Sequence, residues 1–290
     1  MEKDKSGGVL RTKTILLTGA TGFIGRNLLP LLQESYSVSA PSRQELDLLN
    51  ADAVRRYLYI GQFDAVIHLA NPTGHNPQDP QSELFERSLR VFSALEHCSD
   101  LFGKMIYLGS GAEYGKHRDI SMISEDSFGA ELPRDAYGLS RYIMSQLCEK
   151  HDNIVNLRLF ACCGPDDMYH KLIPHIINCI NERKTMELLQ DVWFDFVYVI
   201  DILPVLQYFI EHPAKFKAYN LCSGKRIKIS SIATEVRQQM GASSSIVFQK
   251  NGLGLEYTAS NTRLCNELPH WKPRPINVAI QAILRHMGLK

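Results

Sequence analysis

The sequence contains no run of apolar residues long enough to span a bilayer, which argues against a transmembrane protein. Its first residues, Met-Glu-Lys-Asp-Lys-Ser-Gly-Gly, are too polar for a secretory signal peptide. It also has no excess of charge of either sign, because 32 lysines and arginines are balanced by 31 aspartates and glutamates. A net charge of +1 gives no electrostatic reason to expect nucleic acid or a membrane surface as a partner. We therefore expect a cytoplasmic protein that works on neither.

Cysteine is present but lacks the spacing of a metal site. The seven cysteines are odd in number, lie mostly inside apolar segments, and form no Cys-x-x-Cys or Cys/His cluster. This pattern is typical of free, buried thiols in a reducing compartment, so we predict no bound metal. Internal repeats and low-complexity segments are also lacking. At 290 residues with 44% hydrophobic content, the chain can bury a sizeable core, as one large domain or as a domain with a smaller lobe.

The stretch on which the remaining interpretation depends is residues 14–27, Thr-Ile-Leu-Leu-Thr-Gly-Ala-Thr-Gly-Phe-Ile-Gly-Arg-Asn. A short strand-forming segment ends in Gly19, Gly22 and Gly25, and a helical pattern of leucines follows. That order suits a dinucleotide pyrophosphate, because the glycines permit a sharp turn, close approach of the backbone and tight helix packing. Free N–H groups at the helix start then face the anion. A tight strand-to-helix turn without a ligand can look alike, so the motif alone is not decisive.

The end of the second predicted strand bears on the type of dinucleotide. This strand, around Val38, ends in Ser42 and Arg43, and no carboxylate occurs before Glu45. An acidic residue at this place favours the 2′-hydroxyl of NAD, whereas an arginine accommodates the 2′-phosphate of NADP. We therefore predict NADP as the cofactor, with NAD as the alternative if Arg43 is only a solvated loop residue.

Strands and helices alternate regularly along the chain. The predicted strands cover residues 14–18, 36–40, 64–70, 104–108, 154–160, 194–201 and 219–221, and the predicted helices cover residues 52–60, 82–98, 136–150, 229–240 and 276–287. This alternation predicts an α/β fold with a doubly wound parallel sheet. Ser110 follows the fourth strand, and Tyr137 and Arg141 lie four residues apart on one face of the next helix. His68, inside an apolar run, is expected to be a packed core residue.

Taken in order, these segments resemble the extended short-chain dehydrogenase/reductase family, in particular its nucleotide-sugar epimerase and reductase branch. The resemblance covers nearly the whole chain and rests on Thr-Gly-Ala-Thr-Gly-Phe-Ile-Gly, His-Leu-Ala, Gly-Ser-Gly-Ala-Glu-Tyr-Gly, Tyr-Gly-Leu-Ser-Arg, Leu-Arg-Leu-Phe with Gly-Pro, Phe-Asp-Phe-Val-Tyr-Val-Ile-Asp, and Tyr-Asn-Leu with Ser-Gly-Lys. The run Ser-Arg-Gln-Glu-Leu-Asp-Leu resembles that of NADP-using reductases such as GDP-fucose synthase and dTDP-4-dehydrorhamnose reductase. The resemblance implies a Rossmann dinucleotide-binding domain formed by residues 1–163 and about 191–223. A smaller C-terminal substrate-binding lobe would comprise residues of about 164–190 and 224–290.

The resemblance also implies a catalytic set. Tyr137 would donate a proton to a carbonyl oxygen as hydride arrives from the nicotinamide, or accept one in the reverse direction, while Ser110 would hydrogen-bond the same oxygen. A free tyrosine titrates at about pH 10, so it needs a neighbouring cation to work near neutrality. The family's cation is a lysine four residues after the tyrosine, and here that residue is Arg141. Because arginine keeps the charge but differs in geometry, we expect the role to be retained imperfectly.

Contacts with ligands are implied in the same way. The residues expected to contact the dinucleotide are Gly19, Thr21, Gly22, Phe23, Ile24, Gly25, Ser42, Arg43, Asp47, Leu48, Leu69, Ala70, Leu108, Tyr137, Arg141 and Phe160. Those expected to contact the substrate are Ser110, Gly111, Ala112, His170, Lys171 and Arg263. Of these, His170 or Lys171 could supply a base for epimerisation, and Arg263 could hold a diphosphate. The alternatives are a solvated helix start and a surface salt bridge. Family members usually dimerise through the helices that here contain residues 84–98 and 136–150, so a homodimer is expected.

Three functions remain open at this point. Dehydration is disfavoured, because the family's dehydratases carry an Asp-Glu pair where this chain has Gly111 and Ala112, and Glu113 is expected on the other face of the strand. The leading interpretation is an NADP-dependent reductase of a 4-keto-6-deoxy nucleotide sugar, acting alone or coupled to epimerisation. An NAD-dependent nucleotide-sugar epimerase is the alternative enzyme. A non-catalytic dinucleotide-binding or sensor protein is the alternative class, favoured by Arg141.

Overall fold

A computed structural model provides the structure of the chain and describes residues 11–71 and 81–289. The sequence predicts a loose tail over residues 1 to about 12 and a loop rich in Asn, Pro and Gly over residues 71–80, and both lie almost entirely outside these residues. Within them, the strands are β1 (Thr14–Thr18), β2 (Ser37–Ser39), β3 (Ala65–His68), β4 (Lys104–Ser110), β5 (Ile120–Ile123), β6 (Ile154–Leu159), β7 (Ala161–Cys163), β8 (Met186–Leu188), β9 (Trp193–Phe194), β10 (Phe196–Tyr198), β11 (Ala218–Leu221), β12 (Ile227–Lys228), β13 (Ile246–Phe248) and β14 (Tyr257–Ala259). The α-helices are α1 (Phe23–Gln33), α2 (Ala51–Gly61), α3 (Gln81–Glu96), α4 (Ala136–Cys148), α5 (Leu172–Asn181), α6 (Leu203–Glu211), α7 (Ile229–Gln239), α8 (Thr262–Glu267) and α9 (Ile276–His286). None of these helices is both long and apolar enough to cross a membrane.

The centre of the fold is a six-stranded sheet in the order β11-β6-β4-β3-β1-β2, with every neighbouring pair parallel. Both faces of this sheet are covered. In β1, Ile15 and Leu17 pack into one hydrophobic core and Leu16 packs into the core on the opposite face, because successive side chains alternate across a strand. All three are fully buried. The doubly wound α/β sheet predicted from the sequence is therefore confirmed.

The strand order places the carboxyl ends of β1, β3, β4 and β6 along one edge of the sheet. Thr18, the last residue of β1, pairs with His68 of β3, and Ser110, the last residue of β4, pairs with Leu159 of β6. The chain moves outward from β1 to β2 and then returns to β3 on the other side of β1. Such a reversal opens a crevice at the carboxyl ends of the strands, where ligands of open α/β sheets bind.

His68 is a packed residue of the sheet, as predicted. Its side chain is 2% exposed, and its Nδ1 lies 2.7 Å from the Thr18 hydroxyl oxygen. Burial, with the Arg141 charge as a second cause, lowers the pKa of His68 to about 3. The imidazole is therefore neutral at ordinary pH and serves as a structural hydrogen-bonding partner.

A second body of apolar packing lies beside the central sheet. Helices α5, α7 and α9 enclose a core together with residues of β8 and β10, and the short sheets β13-β8 and β12-β9-β14-β5 flank it. These strands have only two to four residues each. Segments of that length are too short for an alternating pattern to stand out from the sequence, so β5, β8, β12, β13, β14 and the six-residue helix α8 were not predicted.

The predicted strand over residues 194–201 is wrong in its extent. Two short strands, β9 and β10, occupy its first part, and a 3₁₀ helix over Val199–Ile202 replaces its end. Asp195 separates the two strands because its buried carboxylate accepts hydrogen bonds from the backbone N–H groups of Ser223 and Gly224, at 2.6 and 2.8 Å. This tie lies where the chain passes from β9 in the four-stranded sheet to β10, which pairs with β7.

Candidate active site

A cavity of about 970 Å³ opens along the carboxyl edge of the central sheet. Its walls combine the glycine turn after β1, the end of β2, the end of β4, the start of α4 and the segments leading into α5. The lining consists of residues 18–25, 41–43, 46–49, 69–71, 160–163 and 171–173 together with Arg87, Val91, Ser110, Lys116, Tyr137, Asp167, Met168, Phe194, Phe196 and Tyr257. Most of the residues expected to contact a dinucleotide are therefore brought together in one place.

The glycine turn forms a cradle at one end of this cavity. Gly19 has φ of +76°, and a Cβ there would meet the backbone nitrogen of Ala70 at 2.6 Å. A Cβ on Gly25 would collide with the carbonyl oxygen of Gly19, so the helix and the turn touch at this point. Gly22 is less constrained, since its nearest neighbour would lie at 3.3 Å. Among the described residues no side chain caps the start of α1, which leaves its N–H groups directed at an incoming anion.

The end of β2 presents a positive charge. The Arg43 side chain is 77% exposed, and its Nε lies 4.0 Å from the Asp47 carboxylate, which is a loose contact. Glu45 turns away to accept the backbone N–H of Ser42 at 2.7 Å, and that hydrogen bond lowers the pKa of its carboxyl group. Because Glu45 is held in the local turn, this end of the cavity presents a guanidinium where an NAD-specific site presents a carboxylate.

Ser110 and Tyr137 reach the other end of the cavity from separate elements. The Ser110 hydroxyl oxygen accepts the backbone N–H of Ala112 at 3.1 Å, which fixes the turn that ends β4. Tyr137 lies in the first turn of α4, where Asp135 caps the helix by accepting the N–H of Gly138 at 2.8 Å. Each side chain is thus held by the backbone around it, and both line the same cavity.

The surroundings of Tyr137 favour its ionised form. Burial raises the pKa of the phenol, but the Arg141 charge, a hydrogen bond with Ser110 and the Lys116 charge together outweigh burial. The Glu113 carboxylate acts in the opposite direction and is the smallest of these causes. The net effect is a pKa of Tyr137 below its usual range, which suits a group that transfers a proton near neutral pH.

Arg141 lies beneath Tyr137 rather than on the cavity wall. Its side chain is 3% exposed, and its guanidinium carbon is 5.1 Å from the centre of the Tyr137 ring. Nη1 donates to the Tyr107 hydroxyl at 2.8 Å, whereas Nε and Nη2 are buried without a partner among the described residues. The arginine side chain, which is longer than the family's lysine, reaches Tyr107 in the core. Its positive charge therefore acts on Tyr137 from inside the protein.

Arg263, which the resemblance assigns to the substrate, is engaged by other groups of the protein. Its Nη2 lies 2.6 Å from the Asp126 carboxylate and its Nη1 donates to the carbonyl of Ala218 at 3.2 Å. Its Nε faces Glu125 at 3.8 Å, and its guanidinium stacks on the Phe216 ring at 4.6 Å. Arg263 is not among the described residues that line the cavity. The salt-bridge alternative describes it, because both sides of its fork are already occupied.

Gly111 and Ala112 also differ from expectation, since neither lines the cavity among the described residues. A Cβ on Gly111 would lie 2.6 Å from the Tyr257 hydroxyl and 2.7 Å from the Phe160 ring. Ala112 is fully buried. Gly111 therefore makes room for an aromatic side chain from β14.

Two further expected residues lie off the described cavity lining. Leu108 is partly buried and packs against the main hydrophobic core. His170 is exposed ahead of α5, with its ring 5.4 Å from that of Tyr169, whereas the neighbouring Lys171 does line the cavity. Lys171 is consequently the better placed of the two candidate bases for epimerisation.

Sequence reasoning missed several residues at the reacting end of the cavity. Lys116, Phe194, Phe196 and Tyr257 line it but were not assigned a ligand contact. Lys116 directly follows the Glu-Tyr-Gly motif, and this proximity is the one sequence signal that could have found it. Tyr257 lies in a three-residue strand far along the chain, where no motif marks it.

The fold and the cavity together define an NAD(P)-dependent enzyme of the extended short-chain dehydrogenase/reductase class. The model of the NAD dependent epimerase/dehydratase family matches residues 15–222, which is more than half of the chain. The chain belongs to this family. The family and the enzyme class predicted from the sequence are therefore confirmed.

Individual relatives are similar over most of their length. The GDP-6-deoxy-D-mannose reductase of Pseudomonas aeruginosa is 27% identical over 240 residues, covering 76% of this chain and 78% of that protein. The GDP-L-colitose synthase of Yersinia pseudotuberculosis is 25% identical over 262 residues, covering 82% and 85%. Among solved structures, RMD from Pseudomonas aeruginosa with NADPH is 25% identical, with a TM-score of 0.77 over 95% of this chain and 97% of that one. The GDP-mannoheptose C4 reductase from Campylobacter jejuni with NADP, 19% identical, has the same fold, with a TM-score of 0.82 over 97% and 100%.

Proposed function

We propose that the protein is an NADP-dependent reductase of a 4-keto-6-deoxy nucleotide sugar, acting alone or coupled to epimerisation, with Tyr137 as the proton donor. The observation that carries this proposal is the arrangement of a single cavity. Ser110 and Tyr137 lie at one end, and the glycine turn and Arg43 lie at the other. The glycine turn and Arg43 would hold the pyrophosphate and adenosine parts of a dinucleotide, and its hydride-donating part would then be used beside Ser110 and Tyr137.

The residues present fit such a dinucleotide. Gly19 and Gly25 allow the turn and α1 to lie in backbone contact, which a Cβ at either position would prevent, and the uncapped start of α1 offers N–H donors to a pyrophosphate. Arg43 is placed for a 2′-phosphate, because its one ion contact is loose and its side chain is exposed. Residues 1–163 and about 191–223 would hold this group, and residues of about 164–190 and 224–290 would hold the sugar nucleotide.

When bound, the reduced cofactor would supply a hydride to the carbonyl carbon of the substrate. The Ser110 hydroxyl donates a hydrogen bond to the substrate's carbonyl oxygen and holds it beside Tyr137. Tyr137 donates its proton to that oxygen as negative charge develops there, and the Arg141 guanidinium stabilises the phenolate that remains. In the reverse direction the phenolate accepts the proton.

The sugar end of the cavity is aromatic. The Phe160 and Tyr257 rings lie 4.8 Å apart, and the Phe194 ring lies 5.4 Å from that of Tyr257 and 5.7 Å from that of Phe196. A methyl group at sugar carbon 6 suits such a wall, because a hydroxyl buried there without a partner costs free energy. Similarity to a GDP-6-deoxy-D-mannose reductase and a GDP-L-fucose synthase supports a nucleotide-linked sugar.

Elimination of water is disfavoured by the position of Glu113. This carboxylate belongs to the 3₁₀ helix Gly111–Tyr114, not to a strand, and it is fully buried. It accepts hydrogen bonds from the Ser110 backbone, from Asn156 and from Arg158, so it faces the core and not the cavity. An acid–base role for Glu113 on the substrate is therefore not proposed.

An absorbance assay at the reduced-nicotinamide band, with NADPH and a panel of 4-keto sugar nucleotides, tests the proposal. Consumption of NADPH supports a reductase. Formation of an isomer without consumption would identify an epimerase instead. Tight cofactor binding without any reaction would identify a binding or sensor protein and would refute the proposed activity.

Replacing Arg43 with alanine should weaken NADPH binding about ten- to hundredfold, because a hydrogen-bonded charge on the 2′-phosphate contributes about 1.5–3 kcal/mol and each 1.4 kcal/mol is tenfold. The affinity for NADH should change little. Fluorescence titration with both cofactors measures the ratio. Arg56→Ala, which removes an exposed arginine of α2 that is not part of the described cavity lining, is the matched control. Equal losses for NADPH and NADH would contradict the assignment.

Replacing Arg141 tests whether arginine supports turnover in place of the family's lysine. Arg141→Met should lower kcat about tenfold near neutral pH, because the charge that favours the Tyr137 phenolate is lost. Arg141→Lys should keep most of the activity, since the ammonium retains the charge. Steady-state rates for the three proteins give the comparison. An inactive wild type together with an active Arg141→Lys variant would refute the retained role.

A further inference from the structure

The reacting end of the cavity contains a lysine that the proposed mechanism does not use. We propose that Lys116 is a positioning residue that, held over the ring of Tyr257, favours the ionised form of Tyr137 from the open side of the cavity. This inference rests on the proposed function, because it assigns a second cation to the same proton-transfer site.

The backbone directs Lys116 to this place. Gly115 has φ of +82°, and its N–H donates to the carbonyl of Ala112 at 3.0 Å, which closes a tight turn after the 3₁₀ helix. The next residue is Lys116, whose Nζ lies 4.6 Å from the centre of the Tyr257 ring. An ammonium at this distance from an aromatic face is attracted by the ring's quadrupole. Lys116 therefore lines the cavity in a defined position although it is exposed.

Tyr257 is a fixed platform for that contact. Its ring packs between Phe160 and Phe194, and its hydroxyl occupies the space left by the missing side chain of Gly111. Burial, with the Tyr137 charge as a second cause, raises the pKa of Tyr257 well above its usual range. Tyr257 therefore remains a neutral phenol and does not compete with Tyr137 as the acid–base group.

Tyr137 is then flanked by two cations that approach from different sides. Arg141 lies on the same helix, buried beneath the ring and anchored to Tyr107. Lys116 approaches from the solvent-open cavity and, among the described residues, forms no ion pair. The other groups that act on Tyr137 are the Ser110 hydroxyl and the Glu113 carboxylate, which opposes ionisation from the core, and the neutral Tyr257 phenol lies beside them. Because Arg141 acts on Tyr137 from the core side, Lys116 adds a second positive charge from the cavity side.

The test compares Lys116→Met, Lys116→Arg and the wild type. Lys228→Met is the matched control, since Lys228 makes the same kind of contact, 5.2 Å above the Trp193 ring, without being part of the described cavity lining. Lys116→Met should lower kcat about tenfold at pH 7 and shift the pH–rate profile toward higher pH. Lys116→Arg should restore most of the activity. The control should behave like wild type.

A second readout does not depend on turnover. The ultraviolet absorbance of tyrosinate is titrated with pH for each protein and for its Tyr137→Phe counterpart, and the difference isolates Tyr137. The Tyr137 midpoint should move toward higher pH in Lys116→Met and return in Lys116→Arg. An unchanged midpoint would overturn the inference, as would a Lys116→Met variant with raised KM and normal kcat, which would mean that Lys116 binds the substrate. If no substrate reacts with the wild type, the proposed function fails, while the titration still decides the role of Lys116.

Discussion

Replacing Tyr137 with phenylalanine should lower kcat by about 10²–10⁴-fold while leaving the affinity for NADPH nearly unchanged. The ring remains and keeps its contact with Arg141, so the cavity wall is preserved. The proton donor is removed, so the carbonyl oxygen gains charge without a group to neutralise it. Steady-state rates with the reactive sugar nucleotide, together with cofactor titrations, measure the two effects separately.

A control on the same helix strengthens this test. Tyr142 is buried in α4, stacks on Phe128 at 4.8 Å and accepts a hydrogen bond from Gln146 at 3.2 Å, but it is not part of the described cavity lining. Tyr142→Phe should keep the wild-type rate. If Tyr137→Phe retained full activity, proton transfer would have to come from another group, and the mechanism proposed above would be wrong.

The parts of this protein that could be predicted from sequence are those whose structure is determined by residues close together in the chain. The turn after β1 is one example: Gly19 needs a positive φ and Gly25 permits contact between backbones, so the residues themselves encode the shape. The buried strands are another, because Ile15 and Leu17 face one core while Leu16 faces the other, which requires an uninterrupted apolar run. The family and the fold follow from such segments taken in order.

The parts that could not be predicted depend on distant residues. No residue near Arg141 in the sequence indicates that its guanidinium donates a hydrogen bond to Tyr107, thirty-four positions earlier, and is buried in the core. Gly111 is expected to contact the substrate, but the Tyr257 hydroxyl, from the C-terminal part of the chain, occupies the space where a Gly111 side chain would lie. Arg263 has a side chain that could bind a diphosphate, but acidic residues more than a hundred positions away hold it in its place. Spacing along the chain does not report such pairings.

The buried pair behind Ser110 should carry the largest effect on stability. Glu113 is fully buried and Arg158 is 1% exposed, and the Arg158 Nε donates to the Glu113 carboxylate at 2.7 Å. The same carboxylate accepts the Ser110 N–H at 3.0 Å. Glu113→Ala would leave the Arg158 guanidinium charge buried without its carboxylate and the Ser110 N–H buried without its acceptor, so we expect a loss of about 3–5 kcal/mol in the free energy of unfolding. Chemical denaturation measures this loss, provided that the variant and the wild type have equal m-values.

A double variant separates the cost of an unpaired charge from the loss of the pair itself. Glu113→Leu combined with Arg158→Met removes both charges, and replacing a buried ion pair with apolar side chains is often close to neutral. We expect the double variant to recover at least half of the stability that Glu113→Ala loses, although Tyr114 and Ser145 each lose a hydrogen bond from Arg158. If the double variant were as unstable as Glu113→Ala, the network would be needed as a whole to hold the turn after β4. Ser110 would then depend on this network for its place at the cavity, and the folded fraction of the double variant should show a lower kcat even where NADPH still binds.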